Sequence, residues 1–294
     1  MTKIFGVIGH PIGRSLSPLM HTAALRAMHM DAYYAPFDVP KPDLAVMLRA
    51  LLLAGVEGLN VTVPLKEAVI PLLDRIDPTA QAIGAVNTIV IRRGRTIGYN
   101  TDGIGFTKAL RELGWRPGGS PTVVLGAGGA ARAVVWELSR RPRAVVMIAN
   151  RDVPRAQRLA RWLTRRRPRV SVQAMSFSRV QLERAELLIN ATSVGMQTND
   201  RLPLNLSRLQ RGTLVYDLVY HRQTRLVQEA RRQGCVAANG TSMLLYQGVQ
   251  SLYLWLKRSP PIDVMRRALE RALGSGDGKQ SFTNYQLLSG TGNW

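Results

Sequence analysis

The sequence predicts an α/β protein with two domains. Its 294 residues are 46% hydrophobic and 20% charged, values that suit two ordinary globular domains. Short apolar runs alternate with helical stretches in both halves, as in sheets whose strands are connected by helices. A glycine-rich turn follows one apolar run at Gly126. We therefore expect an α/β domain over residues 1–103 and a doubly wound, Rossmann-like domain over 104–241.

The first half alternates between strand and helix patterns. Pro18 is suited to the first turn of a helix, and we expect Ser17 before it to act as the N-cap. The predicted strands are 4–8, 33–38, 58–61 and 86–91, and the predicted helices are 18–30, 42–53 and 65–73. This order indicates a sheet with helices packed on it.

The second half continues the alternation with shorter and more apolar strands. A helix that runs to Leu113 opens it, with Asp102 as a candidate cap. The predicted strands are 122–125, 144–149, 170–174, 187–190, 213–218 and 235–238, and the predicted helices are 130–138, 154–166 and 225–233. Continuous apolar strands separated by helices indicate a parallel sheet covered on both faces.

The stretch T-V-V-L-G-A-G-G-A-A-R has the pattern of a dinucleotide site. Gly126, Gly128 and Ala131 match G-x-G-x-x-G/A. The first glycine permits a tight turn, the second lets the backbone approach a pyrophosphate, and the small third residue lets the helix pack on the strand. Such glycines alone also fit a merely tight turn, but here a strand precedes them and a helix follows. We expect a pyrophosphate at the helix N-terminus.

The end of the next strand indicates which dinucleotide binds. Asn150 and Arg151 stand where an NAD site would place a carboxylate for the ribose 2′-hydroxyl. An arginine fork instead pairs with a 2′-phosphate, and Arg155 lies one helical turn further on. These residues predict NADP. Asp152 is either an unfavourable carboxylate beside that phosphate or a helix cap.

Polar side chains in the first half gather at predicted strand ends. They are Ser15, Ser17, Thr62, Asn87 and Asp102. Each alone is explained as a cap or a loop residue. Together they offer hydroxyls, an amide and a carboxylate at one sheet edge, a set that suits a small polyhydroxylated acid.

Lys66 is the candidate proton donor. The chain has 34 arginines and only six lysines. Arginine cannot release its proton near neutral pH, whereas lysine can in suitable surroundings. Reduction of a carbonyl by NADPH needs a proton for the new alkoxide, which Lys66 would supply while Asp102 orients it or shares the transfer. The alternative is a surface lysine in the first turn of a helix.

The formal net charge of +21 also raises the question of nucleic acid. Twelve arginines lie between Arg132 and Arg169, with few aromatic residues among them to stack on bases. We expect an arginine-rich solvated surface and no nucleic acid partner. We expect no metal site, since one cysteine and four histidines show no ligand spacing. We also expect no membrane span, because no apolar run is long enough to cross a bilayer. A cytoplasmic location and a monomer or homodimer complete these expectations.

The motifs resemble those of the shikimate dehydrogenase family. They are G-H-P-I-G-R-S-L-S-P-L-M-H, N-V-T-V-P-L-K, I-G-A-V-N-T, G-Y-N-T-D-G-I-G-F, G-A-G-G-A-A-R-A, N-A-T-S-V-G-M and N-G-T-S-M-L-L-Y-Q-G, in the family's order over residues 1 to about 270. The resemblance implies reversible reduction of 3-dehydroshikimate to shikimate with NADPH. It also implies an active-site cleft between the two domains, and helices within 242–273 that complete the first one.

The resemblance further implies roles for single residues. Lys66 and Asp102 match the catalytic pair. The substrate positions are matched by Ser15, Ser17, Thr62, Asn87, Tyr220 and Gln247. The cofactor positions are matched by Gly126, Ala127, Gly128, Gly129, Ala130, Asn150, Arg151, Arg155, Thr192, Leu218 and Gly240.

The chain departs from the family pattern at three places. Arg14 replaces a usual histidine, Thr22 a common asparagine, and Asp152 a common threonine. Residues 274–294 have no counterpart in the family, and their glycines and serines predict a flexible tail. Two alternatives stay open: an enzyme that uses quinate or both cofactors, and a non-catalytic sensor of NADP or shikimate. A sensor would need neither Lys66 nor Asp102.

Overall fold

A computed structural model describes residues 2–116, 119–141, 143–197, 199–202 and 204–274. These residues form two compact units. The first unit contains residues up to 81, 86–99 and those from 248 onward, and the second contains 82–85 and 100–247. Apart from Gly274, the tail for which flexibility was predicted lies outside the described residues. In the described part of the chain, no helix combines the length and apolarity that a bilayer span requires.

The first unit is built on a mixed six-stranded sheet of order β2-β1-β3-β5-β6-β4. Its elements in chain order are β1 (Lys3–Gly9), α1 (Ser17–Ala27), β2 (Ala32–Asp38), α2 (Leu44–Leu53), β3 (Val56–Val61), β4 (Arg75–Ile76), α3 (Pro78–Ile83), β5 (Thr88–Arg92) and β6 (Arg95–Tyr99). Strands β1, β2 and β3 are parallel, and β5 is antiparallel to both of its neighbours. The parallel strands bring their carboxyl ends to one edge.

The prediction of a helix over residues 65–73 is wrong. Residues 66–69 form turns, and a short 3₁₀ helix follows at Ile70–Leu72. The carbonyl of Lys66 accepts a hydrogen bond from the Val86 N–H at 2.8 Å instead of serving a helical turn. Pro71 has no N–H to offer to a helix. Lys66 is therefore held in a turn that is tied to another segment.

Two smaller features also differ from the prediction. Helix α1 begins at Ser17 with Leu16 as its N-cap, and Ser15 Oγ accepts from the Ser17 N–H at 3.3 Å, so Ser17 is not the cap. Strand β6 was missed. Arg93 and Gly94 both have positive φ, as the tight turn of a hairpin requires, and they join β5 to β6.

The second unit confirms the doubly wound parallel sheet. Its elements are α4 (Asp102–Glu112), β7 (Thr122–Leu125), α5 (Gly129–Leu138), β8 (Val145–Ala149), α6 (Val153–Arg166), β9 (Ser171–Met175), β10 (Leu187–Asn190), β11 (Leu214–Asp217), α7 (Arg225–Arg232) and β12 (Val236–Asn239). The strand order β12-β11-β10-β7-β8-β9 is that of Rossmann folds. Val124 packs in the core on one face of the sheet, while Val123 and Leu125 pack on the other.

Two further helices of the described residues are α8 (Thr241–Leu256) and α9 (Ile262–Gly274). Helix α9 packs against α1, with Met265 and Leu269 buried. The part of α8 that belongs to the first unit places Trp255 against Phe5, with ring centroids 5.2 Å apart. The Trp255 indole N–H donates to the Ile89 carbonyl at 2.9 Å. The carboxyl-terminal helices are thus part of the first unit's core.

His21 on α1 is fully buried in this aromatic core. Its ring stacks on Tyr34 at 4.4 Å, and neither ring nitrogen has a hydrogen-bond partner within the described ranges. Burial lowers the pKa of His21 from 6.5 to about 3. The folded protein therefore keeps this imidazole neutral where the unfolded chain would protonate it.

We expect His21 to make the protein acid-labile. Below pH 6.5 the unfolded chain binds a proton that folded His21 does not, so stability is lost as pH falls towards 3. Between pH 7 and 5 this loss amounts to about 2 kcal/mol relative to His21→Phe, which cannot titrate. Urea unfolding of both proteins at the two pH values tests it. Equal pH dependence of the two proteins would contradict the buried neutral histidine.

Candidate functional site

The loops after β1 and β3 lie side by side at the sheet edge. The Thr62 N–H donates to the Ile8 carbonyl at 2.9 Å, and the His10 N–H donates to the Val63 carbonyl at 3.0 Å. Gly9 has no space for a side chain, because a Cβ there would collide with the Thr62 methyl group. The loop after β1 continues to Ser15, which is half-buried, and to Ser17, which is buried.

Asn87 joins this edge from the other side. It is 2% exposed, and its backbone carbonyl accepts from the Val61 N–H at 2.9 Å. The neighbouring Val86 holds the carbonyl of Lys66, whose side chain is half-buried. Backbone hydrogen bonds thus bring Thr62, Lys66 and Asn87 together in the first unit.

The glycine loop of the second unit has the shape that a dinucleotide needs. Gly126 has a φ of +105°, and a Cβ there would lie 2.7 Å from the Ala191 carbonyl oxygen and 3.1 Å from Thr192 Cγ2. Gly128 precedes α5, so residues 128–130 present N–H groups at a helix N-terminus. Residues 126–130 thus form a tight strand-to-helix turn in which Gly126 cannot carry a side chain.

Charged residues follow β8 beside the glycine loop. The Arg155 Nε donates to the Ala127 carbonyl at 3.1 Å, while Arg151 is exposed. The Asp152 carboxylate accepts from the Arg155 N–H at 3.1 Å and is the N-cap of α6. Of the two interpretations of Asp152, the helix cap is the one observed. The Asn150 amide donates to the Asp152 carbonyl at 3.0 Å and orders the same turn.

Leu218 and Gly240 meet at the carboxyl ends of β11 and β12. A Cβ on Gly240 would collide with the Leu218 carbonyl, so only glycine fits there. On the neighbouring strand, Thr192 Oγ1 donates to Asn190 Oδ1 at 2.6 Å and accepts from the Val194 N–H at 3.0 Å. The predicted cofactor residues of these three strands therefore share one edge of the second sheet.

A buried carboxylate that sequence reasoning did not single out connects these loops. Asp217 is 0% exposed and accepts hydrogen bonds from Asn190 Nδ2 at 2.8 Å, the Val219 N–H at 3.1 Å and Thr224 Oγ1 at 2.5 Å. Burial raises the pKa of its carboxyl from 3.8 to about 6, against the effect of these donors. Its position as an acid at the end of the apolar run T-L-V-Y-D was the signal available in the sequence.

Asp102, Tyr220 and Gln247 also belong to the second unit. Asp102 is 4% exposed and is the first residue of α4, with Thr101 rather than Asp102 as the N-cap. Gly105, one turn further along α4, lies against Gln247, where a Cβ would come within 2.9 Å of the Gln247 nitrogen. The backbone carbonyl of Tyr220 accepts from Asn239 Nδ2 at 3.5 Å.

The fold and the glycine loop together define the structural class of this protein. This is a two-unit α/β protein whose second unit has the dinucleotide-binding topology and a phosphate cradle at the expected turn. Polar residues and one half-buried lysine lie at the sheet edge of its first unit.

Comparison with known proteins identifies the family. Residues 7–89 match the shikimate dehydrogenase substrate binding domain, residues 110–218 the shikimate / quinate 5-dehydrogenase family, and residues 240–270 the shikimate 5'-dehydrogenase C-terminal domain. A protein of Moorella thermoacetica named shikimate dehydrogenase (NADP(+)) is 44% identical, over 94% of this chain and 96% of its own. The chain therefore belongs to the shikimate dehydrogenase family, as its motifs predicted.

Solved structures agree with this assignment. Shikimate 5-dehydrogenase from Thermus thermophilus, in complex with NADP(H) and shikimate, superposes with a TM-score of 0.82 at 38% identity, covering 92% of this chain and all of its own. Quinate dehydrogenase from Corynebacterium glutamicum, in complex with NAD, gives 0.84 at 32% identity, covering 92% and 99%. The solved proteins of this fold thus include a shikimate dehydrogenase with NADP(H) and a quinate dehydrogenase with NAD.

Proposed function

We propose that this chain is an NADP-dependent shikimate dehydrogenase, which reduces 3-dehydroshikimate reversibly to shikimate on the route to chorismate and the aromatic amino acids. The observation that carries the proposal is the match, over nearly the whole chain, to relatives named for this activity and cofactor. Two features support it: the turn that holds Lys66, the proposed proton donor, and the glycine turn at Gly126, the proposed binding site of the cofactor pyrophosphate.

Lys66 and Asp102 carry the proton in this proposal. Bound NADPH supplies a hydride to the substrate carbonyl carbon. The Lys66 ammonium donates its proton to the oxygen that becomes the hydroxyl, and Asp102 orients or shares that proton. In the reverse direction the same pair removes the hydroxyl proton. Tying the Lys66 carbonyl to Val86 limits how far this lysine can move.

Substrate recognition is assigned to hydroxyl and amide groups. Ser15 and Ser17 bind the carboxylate of shikimate, and their loop is fixed at its start by the contact between Gly9 and Thr62. Thr62 and Asn87 bind the ring hydroxyls from the first unit. Tyr220 and Gln247 are also assigned to the substrate.

Cofactor recognition is assigned to the second sheet edge. Residues 126–130 bind the pyrophosphate: Gly126 and Ala127 form the turn, and the N–H groups of residues 128–130 at the start of α5 face the phosphates. Asn150, Arg151 and Arg155 hold the 2′-phosphate, and the capping role of Asp152 turns its carboxylate towards the helix backbone. Thr192, Leu218 and Gly240 lie beside the nicotinamide.

Turnover tests the proposal directly. Absorbance of the reduced nicotinamide is followed with shikimate or quinate as substrate and NADP or NAD as cofactor. We expect turnover with shikimate and NADP. A preference for quinate would favour the related quinate dehydrogenase, which the similarity to the Corynebacterium enzyme keeps as the second candidate. Binding of NADP without turnover of either acid would favour a sensor.

Arg151 tests the cofactor assignment. We expect Arg151→Ala to raise KM for NADPH by roughly 10- to 100-fold and to change KM for NADH little, because only NADPH carries the phosphate that an arginine fork binds. Steady-state kinetics with both cofactors measure the difference. Arg158→Ala, an exposed arginine on helix α6 just after Arg151, serves as the matched control. An equal change for both cofactors would rule out the 2′-phosphate role.

Three further predictions belong to this proposal. We assign substrate binding to residues 1–103 with helices in 242–273, and cofactor binding to 104–241. A monomer or homodimer and a cytoplasmic location are also expected. Size-exclusion chromatography with light scattering, and fractionation of cells that make the protein, test the last two.

A further inference from the structure

A chain of buried polar groups runs behind Asn87 in the first unit. It is formed by Tyr34, Asn60, Ser251, Thr88 and Asn87, which are all 5% exposed or less. Ser251 comes from α8, whereas the others come from β2, from β3 and from the start of β5. Polar groups buried this deeply destabilise the fold unless each finds a partner, so their mutual orientation is closely constrained.

The orientation of Asn60 follows from its neighbours. Its Nδ2 lies 3.2 Å from the backbone carbonyl oxygen of Asn87, and only the amide nitrogen can donate to a carbonyl. The Asn60 Oδ1 therefore faces Tyr34, whose hydroxyl donates to it at 2.7 Å. The same Nδ2 lies 2.9 Å from Ser251 Oγ and 3.3 Å from Thr88 Oγ1, so its two protons are shared among these hydroxyl oxygens and the Asn87 carbonyl.

The position of Asn87 Oδ1 beside Thr88 then assigns the hydroxyl protons. The Thr88 hydroxyl donates its single proton to Asn87 Oδ1 at 3.1 Å. The 2.8 Å contact between Thr88 and Ser251 must then use the Ser251 proton. Hydrogen bonds therefore run in one direction, from Asn60 through Ser251 and Thr88 to the side-chain oxygen of Asn87.

We propose that Thr88 and Ser251 are positioning residues that fix the side-chain amide of Asn87, so that its NH₂ end, and not its oxygen, is presented to a substrate oxygen. This inference rests on the proposed function, in which Asn87 binds a ring oxygen of shikimate. With Oδ1 engaged by Thr88, Asn87 acts towards the substrate as a hydrogen-bond donor. The hydroxyl of Thr88 thereby contributes to substrate affinity without touching the substrate.

Removal of the Thr88 hydroxyl tests the inference. We expect Thr88→Val, which keeps the β-branched shape, to raise KM for shikimate about tenfold, the usual effect of losing one buried hydrogen bond. KM for NADP should stay within about twofold, since a hydroxyl change in the first unit alters no phosphate contact. Thr88→Ser restores the hydroxyl and should restore KM. Ser251→Ala should give a smaller increase, and it keeps the test available if Thr88→Val fails to fold.

Two comparisons distinguish the positioning role of Thr88 from a purely structural one. Thr96 is an equally buried threonine of the same unit, with its hydroxyl bonded to Asp74 at 2.7 Å. Thr96→Val should lower the melting temperature without changing KM for shikimate. In a double-mutant cycle, Thr88→Val should add nothing to the KM of Asn87→Ala, because its effect passes through that amide.

Two outcomes would overturn the inference. One is a folded Thr88→Val with unchanged KM for shikimate, or, if it does not fold, an unchanged KM in Ser251→Ala. The other is additivity of Thr88→Val with Asn87→Ala. The wild-type protein, assayed beside the variants, separates this result from the wider proposal: an inactive wild type refutes the proposed function, whereas an active wild type with unaffected variants refutes only the positioning role.

Discussion

We expect Lys66→Met to lower kcat for shikimate oxidation by roughly 100-fold or more, the usual range for loss of a proton-transfer group. Methionine is unbranched and flexible like lysine, although one atom shorter, and has no proton to exchange. The Lys66 backbone carbonyl still accepts from Val86 at 2.8 Å, so the turn is retained. KM for shikimate should therefore change by only a modest factor, and steady-state kinetics separate the two parameters.

Two variants sharpen this test. Lys66→Arg keeps the positive charge but holds its proton at neutral pH, so kcat should remain low. Recovery of kcat by arginine would mean that position 66 supplies charge alone. Lys41→Met, in an exposed position of the same unit, is the matched control and should leave kcat unchanged. An unchanged kcat in Lys66→Met would return Lys66 to the role of a surface lysine.

We expect Asp217→Ala to destabilise the second unit by about 3 kcal/mol or more. The alanine leaves the amide of Asn190, the N–H of Val219 and the hydroxyl of Thr224 without this buried acceptor, and each buried donor left unpaired costs about 1–3 kcal/mol. Urea unfolding measures the loss. KM for NADP should rise as well, since these donors hold the loops that carry Thr192 and Leu218.

The isosteric variant Asp217→Asn isolates the charge. Because burial raises the pKa of Asp217 to about 6, the folded state binds a proton between pH 6 and 3.8 that the unfolded chain does not. This contribution to stability therefore grows as pH falls from 6 to 3.8 and is lost as pH rises back through 6, with a slope of about 1.4 kcal/mol per pH unit. Subtracting the Asp217→Asn curve from the wild-type curve should reveal it. Parallel curves would contradict the raised pKa.

Local sequence patterns predicted the second unit well, because its strands and its glycine turn depend on residues that are neighbours in the sequence. The apolar run Thr122–Leu125 forms a strand with these bounds, since a sheet covered on both faces requires continuous apolar strands. Leu187–Asn190 likewise agrees to the residue. The turn at Gly126 was predictable because a positive φ in close contact with Ala191 requires glycine.

The segment around Lys66 could not be predicted in the same way. Its apolar spacing fits a helix, but the decisive hydrogen bond comes from Val86, twenty positions away. The β5–β6 hairpin was missed because its R-R-G-R turn is charged and lacks the usual Asn-Gly pair. In both cases a contact distant in sequence, or a conformation rare for the residue type, outweighed the local preference.

The sequence by itself determined the α/β class, the family and the identity of the side chains that can carry a proton or bind a phosphate, because these depend on residue type and on short spacings. The tertiary structure alone decided how those side chains are oriented. Asp152 caps a helix, Asp217 accepts from Asn190 on another strand as well as from the loop that follows it, and Ser251 joins β5 to a helix more than 160 residues away in the chain. Burial of a side chain and the direction of its hydrogen bonds depend on segments that are distant in sequence. These contacts therefore decide which atom of each residue faces a ligand.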